Sequence, residues 1–425
     1  MPFRVLINFA IVIAVTLLPF SNGLAHSPKS YANIHICSVE QLLDSLDQLE
    51  LFAPDTLKWQ KKGQTASTPD LVYEVKIAEI DRLSPISFDF NQHVKRYIDI
   101  YTIERREQVG QMLGLAKLYF PLFDEMLDRH NLPLELKYLA VVESALNPLA
   151  VSPSGAVGLW QFKINSGRMF DLEVNSYIDE RMDPVKSTEA ACKYLEYLYR
   201  IFGDWHLVMA AYNAGPGVVR NAIERADGET RFWHLYDYLP EAAQNYVPAF
   251  IAAAYVIQNA SNHGIVAIPP MISFEQVDSV HVTEPVSFKA ISDAIPVTMD
   301  ILRFLNPSFR RGYIPESEQS TPILLPINAI PLFIQNQANI YSNTLPKSTY
   351  HQRVANAGNN SNKQKILYSV KAGDYLHKIA IKHNCTIDDI KVWNPDKEAE
   401  LSAGDTLEIW VNKNTLQQIS SSQNN

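Results

Sequence analysis

The chain has 425 residues, 47% hydrophobic and 20% charged, with a formal net charge of −9. That length predicts about two to four domains with ordinary globular cores. The acidic balance, without a long basic run, argues against a nucleic-acid partner. Three distant cysteines (Cys37, Cys192 and Cys385) form no Cys-x-x-Cys pair, and the eleven histidines form no His-Glu-x-x-His pattern, so neither a metal nor a cofactor is expected. Cys192 and Cys385 read as small buried side chains, with one long-range disulfide left open for an oxidising compartment.

Arg4 precedes an apolar run from Val5 to Phe20, followed by Gly23-Leu24-Ala25. This is the anatomy of a signal peptide over residues 1–25, shorter than the ~20-residue run of a membrane span. The other reading is an uncleaved N-terminus associated with the membrane. Both predict export, to the periplasm or cell envelope. Residues 26–89 read as an N-terminal arm with an amphipathic stretch from Val39 to Leu51.

Residues 90–265 are helical by periodicity, as in Leu195, Leu198, Tyr199 and Phe202. Breakers at Asn131 with Pro133, Asn147-Pro148, Gly203-Asp204, Gly215-Pro216-Gly217 and Leu239-Pro240 separate the helices of one mainly α domain. In residues 275–335, short β pieces (Val277 to Val282, Ile323 to Ile327) flank a helical centre. A polar linker is expected at 336–365, a strand–helix–helix–strand module at 366–412 and a polar tail at 413–425. A shift of 88 aligns Phe288 with Leu376, Ile291 with Ile379, Leu302 with Ile390 and Asn306-Pro307 with Asn394-Pro395, so the two modules read as a diverged duplicate.

In the helix predicted over Pro133 to Leu146, Leu136, Leu139, Ala140 and Glu143 share one face. Glu143 thus lies on the core side, near the helix C-terminus. Desolvation and the negative end of the helix dipole both raise a carboxyl pKa there. Periodicity alone leaves two readings: a structural Glu paired with a base, or the proton donor a glycosidase needs.

The neighbouring motifs choose between them. Glu143-Ser-Ala-Leu-Asn-Pro, Ser152-Pro-Ser-Gly-Ala-Val-Gly158-Leu-Trp-Gln161-Phe, Ala211-Tyr212-Asn213-Ala214-Gly215 and Asn245-Tyr246-Val-Pro occur in that order. Together they resemble the lytic transglycosylase family, whose fold is related to goose-type lysozyme. The resemblance spans roughly residues 90–260. It implies a lysozyme-like catalytic domain acting on peptidoglycan glycan strands, with Glu143 as the acid/base and Ser152, Gln161, Tyr212, Asn213 and Tyr246 as substrate-site residues. Amides and hydroxyls suit N-acetyl and hydroxyl groups, and aromatic rings suit sugar faces. The sequence departs from the family at Lys163-Ile164-Asn165-Ser166 and at Ala242-Ala243, which bear on subsite contacts and on the support of Tyr246. Asp204 reads as a helix N-cap with Trp205 packing beside it. Asp179, Glu180, Arg181 and Asp183 read as a solvated or salt-bridged surface that also fits the family scaffold.

Tyr368-Ser-Val-Lys-Ala-Gly373-Asp374-Tyr375-Leu376, Trp393-Asn394-Pro395 and Gly404-Asp405-Thr-Leu407 resemble a LysM domain. That implies a βααβ fold and a glycan groove lined by Gly373, Asp374, Tyr375, Leu376, Asn394 and Pro395. The earlier copy has Pro285-Val286 where this one has Gly-Asp, and reads as a spacer. The expected whole is a monomeric multidomain protein, a mainly α lysozyme-like catalytic domain followed by small βααβ LysM-type modules. Its expected reaction leaves 1,6-anhydromuramic acid ends. The rival readings are a lysozyme-like hydrolase with a second acid and a non-catalytic wall-binding protein.

Overall fold

The computed structural model describes residues 38–53, 68–317 and 319–344. In the last module it describes 363–371, Ile379, His383, Cys385, Ile390, Trp393, Asn394 and 404–412. The predicted signal peptide and tail lie outside the described residues, as does the linker from 345 to 362.

Ser38 opens helix α1 (Val39–Asp44) through a reciprocal capping box with Gln41. A 3-10 turn, Ser45–Gln48, follows, and Leu43, Leu46 and Leu51 are buried. Helix α2 (Asp70–Asp81) buries Tyr73, Ile77 and Ile80. These side chains belong to the same core as the helices that follow. The described parts of the N-terminal arm therefore carry helices that belong to that core.

The domain continues with α3 (Gln92–Asp99), α4 (Arg106–Arg129), α5 (Tyr138–Ser144) and α6 (Ile164–Met169). Next come α7 (Pro184–Phe202), α8 (Trp205–Ala214), α9 (Pro216–Arg225), α10 (Phe232–Leu235) and α11 (Glu241–Asn259). From Tyr246 to Val256, α11 is buried without interruption. A helix apolar on all sides must be surrounded, and α3, α5 and α8 pack on it. The segment at 265–268 lies across α4 because Gly114 has no side chain. A Cβ there would sit 1.9 Å from the Ile268 carbonyl oxygen, while Ile268 N–H donates to Gly110 O at 2.8 Å. Gly203 ends α7 in the left-handed region (φ 64). Asp204 caps α8, accepting from Leu207 N–H at 2.9 Å. Leu195 and Leu198 are buried, but Tyr199 is 40% exposed, so it is not on the core face that the periodicity implied. Its ring stacks on Trp205, centroids 4.2 Å apart.

In the first small module β1 (Val277–Val282) pairs antiparallel with β4 (Thr321–Pro326), and β2 (Val286–Ser287) with β3 (Tyr313–Ile314). Helices α12 (Phe288–Ala294) and α13 (Met299–Leu305) lie between, capped by Ser287 and Thr298. Helix α14 (Ile330–Asn343) packs on α12 and buries Phe333 and Ile340. The expected boundary at 335 thus falls inside a helix. The Asn- and Gln-rich composition that read as linker is the outer face of α14, which keeps few side chains in the core. In the second module β5 (Lys363–Ser369) pairs antiparallel with β6 (Thr406–Asn412).

The duplication is visible in one side chain per module. Asn306 Nδ2 donates to Leu302 O at 3.0 Å and Leu324 O at 2.9 Å, and its Oδ1 accepts from Leu324 N–H at 2.8 Å. Asn394 repeats this with Ile390 O (2.8 Å), Glu408 O (2.8 Å) and Glu408 N–H (2.7 Å). In each copy the Asn of Asn-Pro pins the end of the second helix to the last strand, satisfying three backbone groups.

Candidate active site

Glu143 sits in the last turn of α5. This helix begins as a 3-10 turn, Leu134–Lys137, and ends at Ser144, two residues earlier than the Asn-Pro pair predicts. Ala145 (φ 50) and Leu146 (φ 64) take left-handed backbone and turn the chain away. Leu136, Leu139 and Ala140 are fully buried beneath the acid, which itself keeps partial solvent access. Tyr246 Oη, from α11, donates to Glu143 Oε1 at 2.7 Å. Burial raises the carboxyl from its ordinary 4.5 to about 7, while the Tyr246 bond and the positive charge of Lys163 pull it down. Among the described residues no second carboxylate acts on it through its charge. The acid is thus poised to hold and release a proton near neutrality.

The loop from Ala150 to Phe162 carries Ser152 and Gln161. Ser152 Oγ accepts from Ala156 N–H at 3.0 Å and contacts Ser154 Oγ at 3.1 Å, closing a turn. Gln161 takes left-handed backbone (φ 50). Its Nε2 donates to Gly158 O at 2.9 Å and Ala150 O at 3.3 Å. Ser144 Oγ holds Leu159 O at 2.9 Å, and Tyr212 Oη, from α8, holds Trp160 O at 2.9 Å. Trp160 is itself buried, donating to Thr188 Oγ1 at 2.9 Å. Gly158 is obligatory: at φ 79, a Cβ would sit 2.3 Å from the Arg181 carbonyl oxygen.

The charge cluster departs from the expected surface. Asp179 and Arg181 are 3% and 4% exposed. Arg181 Nε and Nη2 grip Asp179 at 2.8 and 2.7 Å, and its Nη1 donates to Gly155 O (3.1 Å) and Phe162 O (3.0 Å). Burial of the pair is tolerable because those two loop carbonyls take both Nη1 donors. Glu180 meets Lys186, and Asp183 caps α7.

Asn213 follows Tyr212, and its Oδ1 is buried without a hydrogen-bond partner among the described residues. The Tyr212 and Tyr246 hydroxyls are pushed well above 10 by burial and by the charge of Glu143, which places both beside the acid. Sequence reasoning missed the aromatic wall next to them. Tyr194 lies 5.2 Å from Tyr212 and 5.3 Å from Phe170 between ring centroids, with Tyr197 stacked beyond it at 6.4 Å. The available signal was the i,i+3 spacing of Tyr194 and Tyr197 on α7. The two departures from family pattern fall outside the acid's own contacts. Lys163 is exposed ahead of α6 and reaches Glu143 through its charge alone, and Ala243 is buried one turn before Tyr246.

In the second module Gly373, Asp374, Tyr375, Leu376 and Pro395 lie outside the described residues. Asn394 is described, and its amide is spent on the internal bonds given above. Cys192 is buried and Cys385 partly buried. Among the described residues no group of three metal-ligating side chains occurs, and no helix is long and apolar enough to cross a membrane.

A near-neutral acid on a helical scaffold, beside the Tyr212 and Tyr246 hydroxyls, fits an acid–base enzyme of the lysozyme-like kind. Family comparison makes this specific. Residues 121–234 match the transglycosylase SLT domain, 276–342 the LysM-like domain of lytic transglycosylase MltD, and 368–410 the LysM domain. The chain is 29% identical over 348 residues to membrane-bound lytic murein transglycosylase D of Escherichia coli K12, covering 68% of this chain and 75% of that one. It is 33% identical over 130 residues to the soluble lytic murein transglycosylase of the same strain, covering 28% and 20%. The crystal structure of the 70 kDa soluble lytic transglycosylase from Escherichia coli matches with a TM-score of 0.31 at 19% identity, covering 54% of this chain and 44% of that one. The chain thus carries a transglycosylase SLT domain followed by a LysM-like and a LysM module. Glu143, Ser152, Gln161, Tyr212 and Asn213 fall within the SLT match, and Tyr246 lies beyond its end.

Proposed function

We propose that this peptidoglycan lytic transglycosylase works with Glu143 as its sole acid and base. The observation that carries this is the Glu143–Tyr246 pair: a carboxyl near 7, hydrogen-bonded at 2.7 Å, with no carboxylate partner among the described residues. The protonated Glu143 gives its proton to the oxygen linking N-acetylmuramic acid C1 to N-acetylglucosamine. The C1–O bond breaks and its electron pair leaves with that oxygen. Glu143, now a carboxylate accepting from Tyr246, takes the proton of the muramyl C6 hydroxyl, whose oxygen closes on C1. The product is a 1,6-anhydro ring, no water is consumed, and the acid is restored. A two-carboxylate hydrolase would need a second acid about 5–9.5 Å away.

Ser152, Gln161, Tyr212, Asn213 and Tyr246 serve as the substrate site. The unpartnered Asn213 Oδ1 supports this, since an orphaned buried acceptor costs about 1–3 kcal/mol that a sugar N–H or O–H would relieve. The LysM module holds the strand near the cleft through Gly373, Asp374, Tyr375, Leu376 and Pro395, raising local substrate concentration. The protein acts as a monomer in the periplasm, with an uncleaved N-terminus as the route to membrane attachment. Digestion of purified peptidoglycan, wild type beside Glu143→Gln, tests the reading. Mass spectrometry should show fragments one water lighter than hydrolytic products, absent with Glu143→Gln. Reducing ends alone would establish the hydrolase.

A further inference from the structure

The module at 276–342 is sewn to the helical domain. Ile178 and Phe309 form an antiparallel bridge. Asp179 N–H donates to Ser308 O at 2.8 Å, and Arg310 N–H to Tyr177 O at 2.7 Å. The Arg310 guanidinium donates to Asn175 O at 2.9 Å, and the Tyr177 and Tyr313 rings lie 5.6 Å apart. Residues 308–310 follow Asn306-Pro307, the counterpart of Asn394-Pro395. In this copy the turn after the second helix therefore faces residues 175–179 of its own chain.

The seam leads straight to the cleft. Ser308 O holds the backbone of Asp179, whose carboxylate grips Arg181. Arg181 in turn holds Gly155 O and Phe162 O, the two sides of the loop that carries Gln161 and Trp160. A buried, bidentate ion pair tolerates little displacement of either backbone, because both partners lose hydrogen bonds that water cannot replace. We propose that the 276–342 module is a brace for the catalytic cleft. Ser308 O and Arg310 position residues 175–179, so that Asp179 and Arg181 keep the 155–162 loop in the shape that seats glycan beside Glu143. Its 306–310 turn is a positioning element, not a glycan reader. The inference rests on the reading of the Glu143 cleft as the glycan site.

The test uses the full-length protein and three variants. Arg310→Ala removes the guanidinium bond and Arg310→Lys retains a donor. Arg310→Pro removes the backbone donor as well, at the first residue of a 3-10 turn and after an extended Phe309 (φ −83, ψ 102), where proline is accommodated. Turnover is measured on soluble uncrosslinked glycan strands and retention on insoluble cell-wall sacculi. The expected kcat falls about threefold for Arg310→Ala and about tenfold for Arg310→Pro, with KM and sacculus retention within about twofold of wild type and Arg310→Lys near wild type. Unchanged kcat in Arg310→Ala and Arg310→Pro overturns the brace, as does a loss confined to KM or sacculus retention, which would make the turn a glycan reader. Should Arg310→Pro fail to fold by thermal melt, the contrast of Arg310→Ala with Arg310→Lys decides. Wild-type turnover abolished by Glu143→Gln tests the cleft reading separately: an inert wild type overturns both, an active one with unaffected Arg310 variants overturns the brace alone.

Discussion

Replacing Glu143 by Gln should abolish turnover and stabilise the protein, but only above a particular pH. Gln keeps the shape and an Oε1 that can accept from Tyr246, so the 2.7 Å contact survives. What disappears is the cost of ionising a carboxyl raised from 4.5 to about 7 by burial. The folded pKa exceeds the unfolded one, so between about 4.5 and 7 the native state holds a proton that the unfolded chain has released. Wild-type stability therefore falls as pH rises through that window, and the loss is complete above it. The shift from 4.5 to about 7 is worth roughly 3 kcal/mol. Partial solvent access to the carboxyl reduces this to about 1–3 kcal/mol. Urea unfolding of both proteins at pH 4.5 and pH 8 reads the difference directly, because every other ionising group cancels between them. The expected result is near-equality at pH 4.5, and at pH 8 a variant more stable by about 1–3 kcal/mol with turnover reduced roughly 10²–10⁴-fold. A pH-independent difference, or a variant less stable at pH 8, would refute the claim that burial holds this acid near neutrality.

Tyr246→Phe removes a donor to the carboxylate, so Glu143 should titrate higher still. The alkaline limb of kcat should move to higher pH while its plateau drops about tenfold, measured as a pH–rate profile on soluble glycan. Arg181→Ala leaves Asp179 buried and unpaired and frees two loop carbonyls, which should cost about 3–5 kcal/mol in urea unfolding. Arg181→Lys should recover little of that loss, because an ammonium cannot reproduce the fork. Asn394→Ala should lower sacculus retention by loosening β6, with turnover on short soluble strands unchanged, since three backbone groups lose their partner inside the LysM module alone.

The position of Glu143 was legible because period and burial agree: Leu136, Leu139 and Ala140 at i, i+3 and i+4 are buried, and the acid at i+7 keeps partial solvent access. The strands of the first module and the Asp204 cap were legible for the same reason, since each depends on neighbouring residues only. The Asp179–Arg181 pair was not. Two opposite charges two residues apart look like surface, and only carbonyls from Gly155 and Phe162, brought in by the fold, make burial tolerable. Tyr194 was hidden because one helix carries its neighbours Leu195 and Leu198 into the core while its own ring meets Tyr212 from α8. The end of α14 was misread because a helix with only Phe333 and Ile340 buried has the composition of a linker. For Asn394 the residue was legible and its environment was not, since the amide is consumed by β6.

These misses share a cause that bears on how the cleft works. The 150–162 loop holds part of its backbone by its own turns, Ser152 N–H donating to Ala156 O at 2.8 Å and Gly158 N–H to Ala150 O at 2.9 Å, with isolated bridges of Val157 to Val151 and Phe162. Four of its carbonyls are also held by side chains from elsewhere: Leu159 O by Ser144 from α5, Trp160 O by Tyr212 from α8, and Gly155 O and Phe162 O by Arg181 from the turn before α7. Each such bond contributes only about 1 kcal/mol, yet leaving a buried carbonyl unpaired costs more, so the loop has one satisfied shape and few affordable alternatives. Part of the loop's shape is therefore supplied by distant elements, so substitutions at Ser144, Tyr212 or Arg181 should disturb it as a substitution at Gly158 within it would. The departures at 163–166 and 242–243 lie outside this set of bonds. Lys163 is exposed and Ala243 is buried one turn before Tyr246, and neither supplies one of the hydrogen bonds that hold the loop or the acid.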